Sequence, residues 1–280
     1  MESRSVGIVG VGLIGGSIAL GALRAGYRVH LYDSAASEEL AGSKFRGASI
    51  AADLSELVSN SRLLLLATPI SAITEVGSQL AALVSSSHVV SDVASSKRPV
   101  ATVLADLLRG RCDYVPAHPM AGSEKSGARA AREDLFVRAV TLICPEFATD
   151  AASVQLVSEF WQSLGTRIVA VGIPEHDEMV AMISHLPHLV AAVLVKHVAD
   201  TNPSAFELCG SGFRDTTRIA SASPQLWEDI LLSNAEAVAK QIRLFKQALA
   251  EAEKVLADKD AKNLQALLDA AKENRDRLSA

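Results

Sequence analysis

Residues 5–17 read SVGIVGVGLIGGS and decide the fold, because three glycines at fixed spacing separate an apolar run from a helical pattern. Gly10 permits a tight turn after a strand, Gly12 lets a ligand's phosphates approach the backbone, and Gly15 lets the helix pack close to the strand. The start of that helix offers free N–H groups and the positive end of its dipole. The Gly10-x-Gly12-x-x-Gly15 turn therefore predicts a dinucleotide-binding site.

A second predicted strand, Arg28–Tyr32, is followed by Asp33, which lies 18 residues after Gly15. An acid at this place accepts hydrogen bonds from the hydroxyls of an adenosine ribose and repels a 2′-phosphate. Residues 34–36 are Ser, Ala and Ala, and so include no arginine that could bind such a phosphate. The sequence therefore predicts NAD rather than NADP. The predicted cofactor-binding residues are Gly10, Gly12, Leu13, Ile14, Gly15, Asp33, Thr68 and Pro69.

Short apolar runs alternate with helical patterns between Val6 and Val171. Several runs are nearly continuous in Val, Ile and Leu, as in strands buried on both faces of a parallel sheet. The alternation itself is typical of βαβ units. We therefore expect an α/β fold in which residues 1–172 form a Rossmann domain, with a doubly wound and mostly parallel sheet. The predicted strands are Val6–Gly10, Arg28–Tyr32, Leu63–Ala67, His88–Asp92, Tyr114–His118, Ala139–Cys144 and Arg167–Val171.

The C-terminal part of the chain, residues 173–280, has no strand pattern and is expected to form an all-α domain. Pro174–Ala199 is predicted as one long helix that Pro187 kinks, since a proline inside a helix removes a backbone hydrogen bond. Ser223 and Pro224 are predicted to start a second long helix. Along it runs an apolar stripe suited to packing against another helix, in its own domain or in a second subunit. The stripe consists of Val238, Ile242, Phe245, Leu249, Ala252 and Leu256.

The composition limits the class of protein. Apolar residues make up 49% and charged residues 21% of the 280 residues, and the formal net charge is −5. These fractions are typical of a globular protein, and nucleic-acid binding would need a clustered basic face that the sequence lacks. The three cysteines form no CxxC pair, which indicates a reducing compartment. With no signal peptide and no run of about 18 uninterrupted apolar residues, we expect a cytoplasmic protein that binds neither nucleic acid nor membrane.

Ligands of an open parallel sheet lie beyond the carboxyl ends of its strands, so the residues after each predicted strand are candidates for chemistry. His118 ends one such strand and enters a loop that contains Gly122. Oxidation of a carbinol requires a group that takes the hydroxyl proton, and histidine, with an unperturbed pKa of about 6.5, suits that role. From position alone, His118 is equally a candidate for a buried structural histidine.

Two pairs of side chains in the C-terminal half could also form a site. SHLPH contains His185 and His188, and SGFRDTTRIA contains Arg214 and Arg218. If the second segment is helical, the two arginines share a face and could clamp a carboxylate; the alternative is a solvated basic face or a salt bridge. A zinc site from His118, His185 and His188 is conceivable, but there is no HExxH and no nearby cysteine, so we expect no metal.

In these motifs the sequence resembles the prephenate/arogenate (cyclohexadienyl) dehydrogenase family of tyrosine biosynthesis. The matching segments are GVGLIGGS, the strand end at Asp33, DVASSK, HPMAGSEKSG, SHLPH and SGFRDTTRIASASPQLWEDILLSN, in the family's order from residue 6 to about residue 234. HPxAGxExSG followed by GFRDxTRIA is far more specific than a glycine motif. The resemblance implies NAD-dependent oxidative decarboxylation of prephenate, arogenate or both, to 4-hydroxyphenylpyruvate or tyrosine. It also implies a homodimer formed through the helical domain.

The resemblance further implies roles for individual residues. His118 would accept the proton of the ring hydroxyl, and Ser95 or its neighbour Ser96 would hydrogen-bond to the same hydroxyl. Arg218 would hold the ring carboxylate. The other implied substrate-site residues are Lys97, supporting the Ser95 loop, Arg214, lining the entrance from this or the neighbouring subunit, and His188, facing the substrate's side chain or ring.

Two other classes of protein remain open at this point. Imine, ketopantoate and β-hydroxyacid reductases also join a short Rossmann domain to a helical dimer domain, with a proton donor on the first C-terminal helix, where this chain offers Asp177 and His185. A NAD-sensing protein without turnover is the other class, and it would not need Ser95, His118 and Arg218. Prephenate and arogenate differ by a keto group against an ammonium, so a nearby carboxylate would favour arogenate. Asp177 and Glu178 are the candidates for it.

Overall fold

The computed structural model describes residues 4–34, 43–123 and 125–278. Contacts between residues group the chain into two compact units, Met1–Ala235 and Glu236–Ala280. The first unit contains every described strand and all the residues of the site discussed below. The domain boundary between residues 172 and 173 stays a prediction from the sequence.

Six parallel strands form the main sheet in the order β3-β2-β1-β4-β5-β6, which confirms the doubly wound Rossmann arrangement. The order reverses beside β1, which pairs with β2 on one edge and with β4 on the other, and ligands of such sheets bind outside the carboxyl ends at that place. The two-residue strand β3 is too short to be recognised in the sequence. The strands are β1 (Ser5–Val9), β2 (Arg28–Tyr32), β3 (Ser49–Ile50), β4 (Leu63–Leu66), β5 (Val89–Asp92) and β6 (Asp113–Tyr114).

A second sheet of three strands follows the main sheet. It consists of β7 (Ala117–Pro119), β8 (Val140–Ile143) and β9 (Arg167–Ala170), with β7 antiparallel and β9 parallel to β8. The sequence predicted one strand, Tyr114–His118, where the structure has the separate strands β6 and β7. Pro116 lies between them and has no N–H to donate to a sheet, so the pairing of the main sheet ends before it.

Helices cover both faces of the main sheet. Side chains alternate between the faces of a strand, and in β4 Leu63 and Leu65 belong to one buried apolar cluster while Leu64 and Leu66 belong to another. A strand buried on both faces explains the continuous apolar run in its sequence. The helices up to the end of the second sheet are α1 (Leu13–Arg24), α2 (Leu54–Ser59), α3 (Ile73–Ala81), α4 (Arg98–Leu108) and α5 (Ala151–Ser163).

The first C-terminal helical segment differs in detail from its prediction. It consists of α6 (Ile173–Val180), a π-helical turn (Ala181–His185) and α7 (Leu186–Thr201). The interruption is the π turn, which ends two residues before Pro187 within one continuous helical segment, Ile173–Thr201. By length and composition, Ile173–Thr201 is apolar enough to cross a membrane. The same segment carries four buried polar side chains, those of His176, Asp177, His185 and His188.

The second predicted long helix is two helices. After α8 (Ser211–Thr217), α9 (Pro224–Ser233) starts as predicted, with the Ser223 hydroxyl accepting a hydrogen bond from the N–H of Leu226 at 3.5 Å. The helix ends before Asn234, whose side-chain amide donates to the Asp177 carbonyl at 2.8 Å. Two further helices follow, α10 (Ala235–Ala257) and α11 (Ala261–Arg277).

Candidate active site

A cleft of about 890 Å³ lies at the carboxyl ends of β1, β4, β5 and β7. The loops that follow these four strands line it, and so do parts of the π turn, α7, the turn after α8, and α9. This is the place where an open parallel sheet is expected to bind its ligands. Within one cleft the structure thus brings together residues that are far apart in the sequence.

The glycine turn between β1 and α1 leaves room for a ligand at one of its three glycines. Gly10 has a φ of +90°, and a Cβ on it would lie 2.7 Å from the carbonyl oxygen of Ala67. A Cβ on Gly15 would lie 1.9 Å from the carbonyl oxygen of Gly10, so α1 passes this close only without a side chain. A Cβ on Gly12 would meet nothing within 4 Å. Gly12 also precedes α1 without a side-chain cap, so the N–H groups of the first turn can bind an anion.

Asp33 is half-buried after β2 and is held across this turn. Its Oδ2 accepts a hydrogen bond from the backbone N–H of Val11 at 2.7 Å, and the residue lines the cleft. The hydroxyl of Thr68 is buried there and has no hydrogen-bond partner among the described residues, which costs free energy unless a ligand supplies one. Of the predicted cofactor-binding residues, Gly15 alone does not line the cleft and acts through helix packing instead. Ala35 and Ala36 lie outside the described residues.

His118 lies on β7 and lines the cleft with 9% of its surface exposed. Its Nδ1 lies 2.9 Å from Nε2 of His176, and Nδ1 of His176 lies 2.8 Å from Oδ1 of Asp177. Burial lowers the pKa of His118 well below its ordinary value, and the nearby His176 and Lys97 lower it further. The ring is therefore neutral at pH 7 and able to accept a proton.

Asp177 is fixed at the N-terminus of α4. Its Oδ1 accepts a hydrogen bond from the N–H of Lys97 at 2.8 Å, and its Oδ2 accepts one from the N–H of Arg98 at 2.9 Å. Burial acts to raise the pKa of this carboxyl, but the hydrogen bonds from His176 and the two N–H groups outweigh burial and lower it. Neither Asp177 nor Glu178 lines the cleft of the protomer.

The two adjacent serines of DVASSK are placed differently. Ser95 lines the cleft, whereas Ser96 is fully buried and its hydroxyl accepts a hydrogen bond from the Ser233 hydroxyl at 2.8 Å. A buried hydroxyl that is occupied in this way cannot reach a ligand. Of the two, Ser95 is the serine that the structure brings to the same cleft as His118.

Lys97 lies beneath the site and does not line the cleft of the protomer, so its place among the substrate-binding residues stays a prediction. It is fully buried, and its ammonium forms an ion pair with Asp92 and donates a hydrogen bond to the Ala117 carbonyl at 2.6 Å. The hydroxyl of Tyr114 donates to the same Asp92 carboxylate at 2.7 Å. Since Ala117 precedes His118, Lys97 joins the loop after β5 to the strand that carries the histidine.

Two more histidines line the cleft beside Trp227. His188 stacks on the indole, with ring centroids 3.5 Å apart and planes inclined by 7°, and His185 meets its edge at 6.2 Å. Burial lowers the pKa of His188 and lowers that of His185 to about 4, so both rings are neutral at pH 7. Nε2 of His185 and Nδ1 of His188 are buried and find no hydrogen-bond partner in the described ranges. Both histidines therefore have a nitrogen that a ligand could satisfy.

The predicted double arginine clamp does not form within one protomer. Arg218 lines the cleft from a short 3₁₀ turn, Arg218–Ser221. Arg214 is exposed on α8, does not line the cleft, and donates from Nε to the Cys209 carbonyl at 3.4 Å. The helix that would have placed both arginines on one face ends at Thr217. A role for Arg214 in the neighbouring subunit's site stays a prediction.

Sequence reasoning missed three residues of this region: His176, Trp227 and Asp229. Asp229 lines the cleft and accepts a hydrogen bond from the Ser71 hydroxyl at 3.0 Å. Trp227 and Asp229 occur in the motif quoted above, but a motif does not show which of its side chains face the sheet. His176 could have been noticed because it directly precedes Asp177 at the start of the first C-terminal helix. Within the described part of the chain, no group of three or more His, Cys, Asp or Glu side chains could hold a metal ion.

The fold and the cleft define a dinucleotide-dependent dehydrogenase, since a Rossmann glycine turn, a buried neutral histidine and an arginine meet in one place. Comparison with known protein families specifies this class further. Residues 18–170 match the nucleotide-binding domain of prephenate dehydrogenase, and residues 174–270 match the dimerization domain of the same enzyme. The chain belongs to the prephenate dehydrogenase family.

Individual relatives agree with this assignment. The chain is 34% identical to prephenate dehydrogenase from Bacillus subtilis over 281 residues, which cover 97% of this chain and 75% of that protein. Prephenate dehydrogenase from A. aeolicus, solved in complex with hydroxyphenyl propionate and NAD⁺, superposes with a TM-score of 0.90 at 28% identity, over 99% of both chains. Arogenate dehydrogenase from Synechocystis superposes with a TM-score of 0.83 at 30% identity, over 98% of this chain and 99% of that one.

Proposed function

We propose that the protein catalyses the NAD-dependent oxidative decarboxylation of prephenate, arogenate or both. The observation that carries the proposal is that His118 and Arg218 line the same cleft as the glycine turn. The reaction removes a hydride and a carboxylate from one ring. It therefore needs a base, a carboxylate anchor and a dinucleotide held around a single bound substrate.

The residues of the cleft fit the cofactor. The open space at Gly12 and the N–H groups that begin α1 suit a pyrophosphate. Asp33 would accept hydrogen bonds from the hydroxyls of the adenosine ribose, and the unpartnered Thr68 hydroxyl would gain a partner. When bound, NAD supplies the acceptor for the substrate's hydride.

The remaining chemistry belongs to the side chains. His118 takes the proton of the ring hydroxyl, and Ser95 holds that hydroxyl in place. Arg218 binds the ring carboxylate until it leaves as carbon dioxide, and the electrons of the broken carbon–carbon bond complete the aromatic ring. His118 then returns its proton to the phenol oxygen, so the base is restored after each turnover. Aromatisation makes the step irreversible.

The test is to mix the protein with NAD and either prephenate or arogenate and to follow absorbance at ~340 nm. We expect reduced cofactor to form with at least one substrate, and the ratio of the two kcat/KM values measures the substrate preference. No absorbance change with either substrate would contradict the proposal and would favour a NAD-sensing protein. The carboxylates of the described cleft are Asp33 and Asp229, and only the latter lies away from the glycine turn.

Asp33 should make NAD preferred over NADP, because a 2′-phosphate would be placed against a half-buried carboxylate. Asp33→Ala removes this repulsion and should narrow the ratio of kcat/KM for the two cofactors. Asp53→Ala, which removes an exposed carboxylate from the start of α2, is the control and should leave the ratio unchanged. Equal kcat/KM values for NAD and NADP in the parent protein would be the contrary result.

We also propose that the protein is a cytoplasmic homodimer that binds neither nucleic acid nor membrane. The match of residues 174–270 to a dimerization domain supports the dimer. Large apolar side chains on the C-terminal helices are exposed in the protomer, among them Ile183, Val193, Leu249 and Leu256. A net charge of −5 gives no attraction for phosphates, and the prediction that Ile173–Thr201 stays out of a membrane rests on its buried polar residues.

A further inference from the structure

Three side chains form a chain of hydrogen bonds that begins at the cleft and ends in the interior. His118 is the member that lines the cleft, His176 is fully buried, and Asp177 is 5% exposed. The two links, from His118 to His176 and from His176 to Asp177, measure 2.9 and 2.8 Å. Of these three side chains, only His118 has been given a function above, as the group that accepts a proton.

The positions of the protons in this chain follow from its inner end. Both oxygens of Asp177 accept hydrogen bonds from backbone N–H groups, so the carboxylate is ionised and offers no proton. Nδ1 of His176 must therefore carry a proton and donate it to Asp177. A neutral imidazole has one N–H, so Nε2 of His176 accepts, and the bond to His118 requires a proton on Nδ1 of His118. Nε2 of His118 is then left without a proton.

We propose that His176 and Asp177 are positioning residues, which hold His118 in the tautomer whose bare Nε2 serves as the base, and which stabilise the charge that His118 gains. The proposal rests on the proposed function, because it concerns the proton that leaves the substrate's hydroxyl. That proton moves to Nε2 of His118. The Nδ1 proton stays in the hydrogen bond to His176, and the positive charge of the ring is balanced through His176 by the Asp177 carboxylate.

Other charged and titratable groups also face this chain. Lys97 lies close enough to lower the pKa of both His118 and His176, but its ammonium is paired with Asp92. His185 also lowers the pKa of His118. Asp177 opposes these effects on His176, since its hydrogen bond and charge raise the pKa of that ring while burial lowers it. Asp177 is thus the negative group that His118 reaches through a hydrogen bond at Nδ1.

If the amide of Asp177→Asn turns its NH₂ towards His176, the proton of each histidine ring moves to the other ring nitrogen. His176 would then accept at Nδ1 and donate from Nε2, and His118 would carry its proton on Nε2, where it cannot act as a base. Where a carboxylate orients a catalytic histidine in the same way, exchange for the amide lowers kcat by about 10⁴. We expect a loss of about 10² to 10⁴ in kcat with little change in KM. Glu178→Gln makes the same exchange of a carboxylate for an amide at the next residue. It is the matched control and should have the kcat of the parent protein.

The deciding measurement needs no substrate. Nitrogen NMR of protein labelled in its histidines reports which ring nitrogen carries the proton, and the spectrum of His118→Asn identifies the signals of His118. We expect Nδ1–H in the parent protein and Nε2–H in Asp177→Asn. An Nε2–H tautomer of His118 in the parent protein would overturn the proposal even if the protein oxidises prephenate. Conversely, the expected tautomers in a protein that oxidises neither substrate would contradict the proposed function alone.

A second pair of variants covers the case in which Asp177→Asn does not fold. His176→Phe keeps the ring volume but removes the acceptor for Nδ1 of His118, and His176→Gln can place an amide oxygen near the position of the lost Nε2. We expect kcat to fall in His176→Phe and to recover in part in His176→Gln, with similar KM and thermal midpoint in both. Equal kcat in the two variants would show that His176 serves packing only.

Discussion

Four histidines surround the base of the cleft, and the surrounding apolar residues keep them uncharged. Burial lowers the pKa of His118, His176, His185 and His188 alike. A buried imidazolium would have to be paired or hydrated, so the neutral ring is favoured wherever neither is available. The site can therefore operate with neutral bases at pH values where exposed histidines begin to protonate.

His118→Asn should lower kcat by about 10² to 10⁴ with little change in KM, because the base acts on charge that develops only as the ring is oxidised. The lowered pKa of His118 means that the parent protein keeps its base unprotonated to below pH 6.5, and kcat/KM falls as the pH drops through that lowered pKa. This acid limb should disappear in His118→Asn. His197→Asn changes an exposed histidine and should keep both kcat and the limb. Parental kcat in His118→Asn would place the base elsewhere, with His185 and His188 as the next candidates.

Arg218→Ala should chiefly raise KM, because the ring carboxylate is already present in the ground state and needs its charge partner there. A lost charge-assisted pair in a cleft corresponds to about 2–4 kcal/mol in kcat/KM. Arg214→Ala is the comparison, since Arg214 is exposed and does not line the protomer's own cleft. An unchanged KM in Arg214→Ala would show that Arg214 does not contribute to substrate binding. A raised KM in that variant would support its contribution to the partner's site. Parental KM in Arg218→Ala would show that the carboxylate is bound by another group.

Single residues at strand ends could be predicted because the rule that places them needs only the order of the elements. Asp33, Ser95 and His118 each follow or end a strand of the predicted sheets, and the structure brings them to one cleft. The partners of His118 could not be predicted in this way. His176 lies on a helix, 58 residues after His118 in the sequence. The periodicity of a helix does not show which strand its side chains will contact.

The elements around the site are joined by buried charges. The Lys97–Asp92 ion pair links the end of β5 to the start of α4, and the bond from Lys97 to Ala117 extends the link to β7. Both charged side chains are fully buried. Each therefore depends on the other, since a single buried charge would be left without compensation.

Lys97→Met should lower the free energy of unfolding by about 3–5 kcal/mol, because it leaves the buried Asp92 carboxylate without its ion pair. Tyr114→Phe is the milder comparison. It removes one hydrogen bond from the same carboxylate but leaves the ion pair, and should cost about 1.5–3 kcal/mol. Urea denaturation of the three proteins measures both values. A Lys97→Met protein as stable as the parent would show that Asp92 finds another partner or is protonated.

The sequence predicts most of the helices and strands, but it predicts the residues at which they end less accurately. Four strands of the main sheet, β1, β2, β4 and β5, lie within a residue of their predicted bounds, because a strand buried on both faces gives an unbroken apolar run. The breaks were missed where a tertiary contact decides them. Asn234 ends α9 by bonding to the Asp177 carbonyl, and the π turn before Leu186 has no sequence signature of its own.

At the scale of the whole molecule, the exposed apolar residues of α10 predict a partner. Leu249 is 53% and Leu256 60% exposed in the protomer, and both belong to the stripe read from the sequence. The double variant Leu249→Glu/Leu256→Glu would place two carboxylates in a dimer interface and should yield monomer at micromolar concentration, as measured by light scattering. Gln247→Glu adds a charge at another exposed position of α10 and is the control. A monomeric parent protein would contradict the dimer, and a double variant that stays dimeric would contradict the placement of Leu249 and Leu256 in its interface.

The stacking of Trp227 on His188 also provides the molecule with an optical reporter. The chain has two tryptophans, and the other, Trp161, is fully buried between Phe136 and Phe160. Ultraviolet emission from Trp161 is therefore insensitive to what enters the cleft, whereas Trp227 lines it and emits from the place where a ligand must settle. A Trp161→Phe background would leave a single fluorophore at the site. Cofactor and substrate occupancy could then be followed separately in real time, including in variants too slow to be measured by turnover.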